Sequence, residues 1–555
     1  MPHLIAAPIL LPMATAAALL LLGDRRTLKA WVSVLSCGLG VVISIALVYW
    51  VQHIGQPQAV GVYLPSNWPV PYGIVLVLDR LSAMMLLLTS VLGLAAILSA
   101  VARWDRAGVQ FHPLFQLQLM GLAGAFLTGD LFNLFVCFEI MLAASYGLLL
   151  HGSGWARVRS GLHYLAVNLL ASVFILIGIA ILYGITGTLN LADMAIIVPT
   201  IPEGDRGLLH AGAAILAVAF LVKAGAWPLG FWLAPAYSSA AAPAAALFAI
   251  LTKLGAYAVL RVWTLLFSSD AGSSALFGSP VLVTIGLLTL AFGTLGVMAT
   301  QHLGRIAAFC AIVSSGTWIA ALGFGQASVT GGALYYILGS TLAVSAFFLL
   351  TELINRARDT DEQLTLVTDF HFGESLRALE EERAVNLDAD ERPLIGLPIP
   401  AAVAFLGLAF MVCGLTIAGL PPFSGFVGKV VILSALLNPL NLGPHAQVSP
   451  QAWMLLALLM VSGLFVIIAF SRAGARYIWT PVGRAIPRLR IIETLPIAAL
   501  LILVSVLVWR ADPVLRYVNA AARALHNPTD YIGTVMAAEP KPSPVATGRG
   551  GLRQP

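Results

Sequence analysis

Four ionisable residues, Glu139, Lys223, Lys253 and Lys429, lie within segments otherwise apolar enough to cross a bilayer. Glu139 sits in the middle of GDLFNLFVCFEIMLAASYG. Counting from Leu131, a rise of about 1.5 Å per residue puts it roughly 12 Å deep, near the midplane of a hydrocarbon core about 30 Å thick. A charged group at that depth costs about 2.5–3.5 kcal/mol on insertion scales, so it calls for a partner. Lys223, in LLHAGAAILAVAFLVKAGAWPLGFWL, is also central, and Pro228 follows five residues later. Proline interrupts the helical ladder and frees the carbonyl of Ala224, and irregular backbone is tolerated at membrane depth only beside protein or a water-filled cavity. Desolvation disfavours both charges and pairing restores them, so moving one partner alters the proton affinity of the other. Glu139 with Lys223 is the candidate proton switch, against the simpler reading of two charges that pin helices together.

Lys253 lies near the middle of SSAAAPAAALFAILTKLGAYAVLRVW, where Ala244, Ala245, Ala246 and Ala249 permit close helix approach. It extends the polar path laterally, or satisfies neighbouring carbonyls. Lys429 follows an interruption at Gly419, Pro421, Pro422 and Gly425 in a stretch too long for one unbroken helix. Broken helices in corresponding places of two halves resemble those of transporters built from inverted repeats. Spans 4–8 and 9–13 would be the two five-helix units, which makes Lys429 the counterpart of Lys223. Other polar residues read more weakly. Asp130 and Asn133 suit a helix cap better than a place in proton transport. His163, near a helix end, is a hydrogen-bonder or an inward proton feed. Ser314, Ser315 and Thr317 either line a water chain or bond their own helix.

These residues need membrane helices to hold them, and composition supplies them. The chain has 555 residues, 59% hydrophobic and 10% charged, with a formal net charge of +5 and mean hydropathy +0.92. That composition excludes an ordinary globular domain, and no Lys/Arg run with interleaved aromatics suggests nucleic acid. The expected fold is an all-α polytopic membrane protein with about fourteen spans: near 4–22, 30–51, 78–101, 112–128, 131–150, 161–184, 208–234, 240–266, 279–300, 304–324, 329–354, 399–437 (interrupted), 452–471 and 492–509. The first reads as a retained helix, since it lacks a positive leader and precedes Arg25, Arg26 and Lys29. Arg/Lys loops alternate with uncharged ones, which puts both termini outside the cytoplasm under the positive-inside rule.

The organisation expected is a three-helix segment over 1–101, a first five-helix repeat over 112–266, a second over 279–471, a last span at 492–509 and a tail over 510–555. The second repeat includes a charged cytoplasmic loop, 355–392, with Glu380, Glu381 and Glu382 beside Arg377 and Arg383. In the tail, Asp512 and Pro513 read as N-cap and first residue of a short amphipathic helix on the membrane or a neighbouring subunit, with disorder from Asn527 onward. Cys37, Cys137, Cys310 and Cys413 lie in apolar segments without CxxC spacing and read as core residues. No metal or cofactor ligand set is evident.

Taken together, DLFNLFVCFEIMLAASYGLL, LVKAGAWPLGFWLAPAY, LTKLGAY and GLPPFSGFVGK resemble the antiporter-like subunits shared by respiratory complex I, energy-converting hydrogenases and Mrp-type multisubunit cation/proton antiporters. The wording is most similar to D subunits of the Mrp type. The resemblance implies a proton path through Glu139, Lys223, Lys253 and Lys429. It also implies a transport subunit with no covalent chemistry, other membrane subunits as partners, H⁺ with Na⁺ or K⁺ as the transported ions, and a bacterial plasma membrane as location. Alternatives are a proton-pumping subunit of complex I or of a hydrogenase, and a structural anchor. One departure stands out: where the family motif has a histidine, LYYILGSTL has Gly339, so Ser340, Thr341 or water would carry the proton there, or the path would run by another route.

Overall fold

The computed structural model describes residues 2–54, 59–108, 110–383, 401–438, 448–479 and 489–541. The chain opens with α1 (Ala7–Leu21), α2 (Arg26–Tyr49) and, after a hairpin of β1 (Gly61–Tyr63) and β2 (Leu76–Leu78), α3 (Arg80–Arg103). The hairpin is antiparallel, with Val62 opposite Val77. Next come α4 (Phe111–Leu127), α5 (Leu131–Leu150), α6 (Trp155–Thr186), the short α7 (Leu191–Ile197) and α8 (Glu203–Lys223). Beyond a break lie α9 (Leu233–Ser239), α10 (Ala242–Phe248), α11 (Leu251–Leu266), α12 (Ser279–Ala299), α13 (Leu303–Gly323) and α14 (Ala327–Arg383). The chain continues as α15 (Ala401–Ala418), α16 (Ser424–Leu437), α17 (Pro450–Gly474), α18 (Ile491–Trp509), α19 (Ala511–His526) and α20 (Thr529–Met536).

Among the described residues, 12 stretches are long and apolar enough to cross a membrane. Of the spans expected from sequence, 4–22 and 112–128 fold as the shorter α1, 15 residues, and α4, 17 residues. Helices at the rim turn apolar side chains outward: α2 exposes Trp31, Leu35, Leu39 and Val42, as a hydrocarbon solvent demands. At the centre α10, α11, α13 and the Ala327–Ala357 part of α14 are almost wholly buried. Glycine sets the approach of α12 to α13, since a Cβ on Gly286 would collide with the Ala320 backbone and one on Gly316 with the Leu290 backbone.

Caps place the ends. The Asp79 carboxylate accepts from the Ser82 backbone at 2.8 Å while the Ser82 hydroxyl accepts from the Asp79 backbone at 2.8 Å, starting α3. Asp130 accepts from the Asn133 backbone at 2.7 Å and starts α5, the capping role expected of it.

The structure corrects the sequence reading in four places. The 355–392 segment is not a loop over most of its length, because α14 runs unbroken to Arg383; 384–392 lie outside the described residues. The eighth span is two helices, interrupted at Ala249 and Ile250. The cap of α19 is Arg510, and Asp512 instead pairs with Arg516 at 2.6 Å in the first turn. The segment after Asn527 is ordered through Lys541. There α20 forms, and Asn67 exchanges two bonds of 2.9 and 2.8 Å with the Lys541 backbone; residues 542–555 lie outside the described residues.

Helix α19 packs on α14, α3 and α11 of its own chain. It buries Val518, Ala521, Ala522 and Leu525. Beside it is a buried ion pair: Arg261 donates to both Asp79 oxygens at 2.6 and 2.8 Å, and the Tyr531 ring of α20 lies 5.4 Å from the guanidinium. Asp79 therefore both caps α3 and anchors α11, a bidentate arrangement that only arginine's planar fork supplies.

Candidate functional site

Glu139 projects from α5 toward α6, where the Ser172 hydroxyl donates to its Oε1. On the other side Lys223 Nζ lies 3.4 Å from Ser172 Oγ and 5.0 Å from the centre of the Phe138 ring. Lys223 is buried, 7% exposed, whereas Glu139 is half-buried. The acid and the base are thus joined through one hydroxyl, and no direct Glu139–Lys223 ion pair occurs among the described residues.

Lys223 is the last residue of α8, held at the mouth of a break. Between the helix end and Pro228 the chain turns at Gly225, whose φ of 71° is left-handed and suits a residue without Cβ. The interrupted backbone is re-satisfied by side chains: Trp232 Nε1 donates to the Val222 carbonyl at 3.3 Å and the Trp227 amide donates to Thr289 Oγ1 at 2.9 Å. Behind the break α8 touches α11, where a Cβ on Gly255 would meet the Ala224 nitrogen at 2.5 Å. Two residues earlier on α11 stands Lys253, 1% exposed, with Nζ 3.3 Å from the Ala311 carbonyl and 3.2 Å from Ser315 Oγ.

Neighbouring hydroxyls of α13 then face opposite ways. Ser315 meets Lys253, while Ser314 Oγ lies 2.8 Å from Ser340 Oγ on α14. Thr341 is buried and its hydroxyl finds no partner among the described residues. At the second break Gly419, φ 78°, ends α15, Pro421 and Pro422 follow, and Lys429 of α16 reaches back to the Ala418 carbonyl at 2.7 Å. Lys223 precedes its break and Lys429 follows its own, so the two lysines approach their interruptions from opposite sides.

Gly339 has a physical reason. A Cβ there would collide with Ser424 Oγ, at the first turn of α16. Helix α14 therefore packs so closely on the broken helix that a side chain at 339 would require Ser424, whose side chain is buried, to move. His163 stands apart from this chain of residues. It is exposed, with Nδ1 3.1 Å from the Arg159 carbonyl of its own helix. Among the described residues no group of three or more His, Cys, Asp or Glu is placed to hold a metal.

Sequence reasoning missed Ser172, and with it Ser160, Tyr164 and Asn168. All four are buried, between 3% and 7% exposed, on one face of α6. A polar residue at every fourth position of an apolar span was the available signal, because four residues return to one helix face.

A family model described as NADH:quinone oxidoreductase/Mrp antiporter, TM, matches residues 128–371. A Rhizobium meliloti protein, named as the probable D subunit of a K⁺/H⁺ antiporter, is 47% identical, over 97% of this chain and 98% of its own. The D subunit of the Na⁺/H⁺ antiporter of Alkalihalophilus pseudofirmus is 31% identical, over 97% of this chain and 100% of its own. Among solved structures, a chain of the Mrp complex from a Dietzia species superposes with a TM-score of 0.78 at 25% identity, covering 97% of this chain and 100% of that one. The half-buried acid and the buried lysines therefore stand in a multi-pass membrane protein, and the chain belongs to the family of D subunits of Mrp-type cation/proton antiporters.

Proposed function

We propose that this chain moves protons across the membrane as one subunit of a multisubunit Na⁺/H⁺ or K⁺/H⁺ antiporter that exchanges cytoplasmic cation for external protons. It forms no covalent intermediate, and its partners are the other membrane subunits. The observation that carries the reading is the Glu139–Ser172–Lys223 bridge at a helix break. A carboxylate and an amine that share one hydroxyl exchange stabilisation as that hydroxyl turns, so the geometry of three side chains sets when the site holds a proton. Lys253 with Ser315, and Lys429 at the second break, extend the path.

Two five-helix repeats, 112–266 and 279–471, organise these residues in this reading. Its support is a recurring pattern at the breaks: Ala224-Gly225, Pro228 and Gly230-Phe231 in one, Ala418-Gly419, Pro422 and Gly425-Phe426 in the other. The Arg-bearing loops face the cytoplasm of a bacterial plasma membrane and both termini lie outside. Tags placed after Arg26 and at the C-terminus should be reached from opposite sides; a C-terminal tag on the cytoplasmic side would remove this orientation. For the transport itself, Lys223→Ala in vesicles carrying the assembled complex should stop cation-dependent proton movement. Normal movement would contradict the assignment.

A further inference from the structure

At the end of the molecule where the Arg-bearing loops gather lies a cavity of about 960 Å³. Arg103, Arg159, Arg305 and Arg356 line it, against the single carboxylate of Glu352. Glu352 is already engaged: Trp104 Nε1 donates to it at 2.7 Å and Arg103 lies 3.9 Å away. Arg356 is engaged as well, donating to both Glu493 oxygens at 2.6 and 2.7 Å. Arg159 and Arg305 are exposed and have no carboxylate partner among the described residues. Two spare guanidiniums in one cavity make an uncompensated positive field, which calls for an anion.

Helix α9 packs on both of the helices that carry them, α6 and α13. Its Ser239 Oγ lies 2.6 Å from Ser160 Oγ of α6, and its Ser239 carbonyl accepts from Arg157 Nε at 2.9 Å. Gly304, in the first turn of α13, lies against Ser238. No side chain caps α13, so its first amides add donors beside Arg305. Tyr237 of α9 lines the cavity too; it is 1% exposed, and its hydroxyl has no partner among the described residues. An oxygen of an anion, or a water that the anion holds, satisfies such a hydroxyl.

An apolar track begins at the same cavity. Trp155, at the start of α6, belongs to the cavity wall and is exposed. Val158, Leu162, Leu169, Val173 and Leu176 follow it on one face of the helix, all exposed. At about 1.5 Å per residue the stripe runs roughly 30 Å, the thickness of a hydrocarbon core. Arg159 joins the two features, since it stands between Val158 and Leu162 on α6 and also lines the cavity. A free phosphate would use the cavity and leave the stripe bare, whereas a lipid uses both.

We propose that this cavity binds the phosphate of an anionic phospholipid from the leaflet it faces, held by Arg159 and Arg305, with an acyl chain along the α6 stripe. The guanidiniums give the phosphate paired, charge-assisted bonds. A zwitterionic lipid gains less, because its own cationic group meets the same positive field. Basic pockets between membrane helices select anionic headgroups on this ground.

The test uses the assembled complex in phosphatidylcholine vesicles that contain a small share of lipid with a photoreactive acyl chain, either phosphatidylglycerol or phosphatidylcholine. Labelling is read on peptides from 155–176 and, for comparison, from α2, which starts at Arg26 and exposes an apolar face but does not line this cavity. Phosphatidylglycerol should label 155–176 about tenfold more than phosphatidylcholine does, with a smaller preference on α2. Arg159→Gln with Arg305→Gln should bring the preference at 155–176 down to that of α2, and Arg159→Lys with Arg305→Lys should keep most of it. If the first pair of changes prevents assembly, Arg159→Gln and Arg305→Gln are made singly, and each should lower the preference. Equal preference on the two helices means a diffuse surface attraction and overturns the site. An unchanged preference in the glutamine variants overturns it too, as does the absence of label on 155–176, which would mean that protein covers the stripe. Excess inorganic phosphate at constant ionic strength should leave the labelling as it is; loss of label would show that the cavity takes the free anion, and would overturn the lipid.

Discussion

Lys429 Nζ donates to the carbonyl of Ala418 at 2.7 Å, across the break in its own membrane span. The lysine is both a buried titratable group and the donor that satisfies a carbonyl released by the end of α15. Lys429→Met removes the nitrogen and keeps most of the volume. It should leave that carbonyl unpaired at membrane depth, at about 1–3 kcal/mol, and lower cation-dependent proton flux at least several-fold with the complex assembled. Dye quenching in vesicles, with native electrophoresis for assembly, measures both. Unchanged flux would show that Lys429 is structural only.

The Asp79–Arg261 pair concerns stability. Removing one partner of a buried ion pair strands the other, typically at about 3–5 kcal/mol. Asp79→Asn also keeps the α3 cap oxygen, so the loss should come from the pair. The expected outcome is faster proteolysis of the segment 511–541, since α20 packs its Tyr531 over Arg261. A double change, Asp79→Asn with Arg261→Met, keeps the cap oxygen and leaves no charge unpaired, and should be less damaging than Asp79→Asn alone. Equal protease resistance in Asp79→Asn and wild type would deny the clamp.

His526 ends α19 with Nε2 2.9 Å from Thr330 Oγ1, and burial lowers its pKa below the ordinary 6.5. The docked helix therefore binds the proton less readily than the undocked chain. Docking is fully favoured above the ordinary value and weakens as pH falls through it toward the lowered one. Amide exchange across 511–526 should be faster at about pH 5.5 than at about pH 7.5, and His526→Gln should flatten the difference. Exchange independent of pH would remove this role.

Much of the site is legible in the sequence because hydrocarbon is an unforgiving solvent. A lone charge such as Glu139 or Lys253 stands out from its apolar span, and the pairs of Gly and Pro at 225–228 and 419–422 announce interruptions. Three things do not show. Hydroxyls bond their own helix carbonyls so readily, as Ser172 does with Asn168, that a span containing them reads as apolar and the bridge between Glu139 and Lys223 is invisible. Asp79 and Arg261 are far apart in sequence, in the expected spans 78–101 and 240–266, and nothing local to either names the other as its partner. The α14 extension and α20 carry polar or turn-prone compositions that suggest loop and tail, but a continuing helix in one case and packing against a folded surface in the other override local preference. Gly339 reads as a missing imidazole. What the sequence does not carry is the reason, the approach of Ser424 from a helix much later in the chain.

The central claim is that Glu139 and Lys223 act as one device through Ser172. In vesicles with the complex intact, Glu139→Gln and Lys223→Ala should each reduce cation-dependent proton flux to background. The double variant should be no worse than either single, because residues that act as a unit fail once. The most direct measurement is the flux of Glu139→Gln across a range of pH, since glutamine keeps the shape and the contact to Ser172 while losing the titratable group. The account predicts no cation-dependent flux at any pH with normal assembly; wild-type flux with the wild-type pH optimum would contradict it.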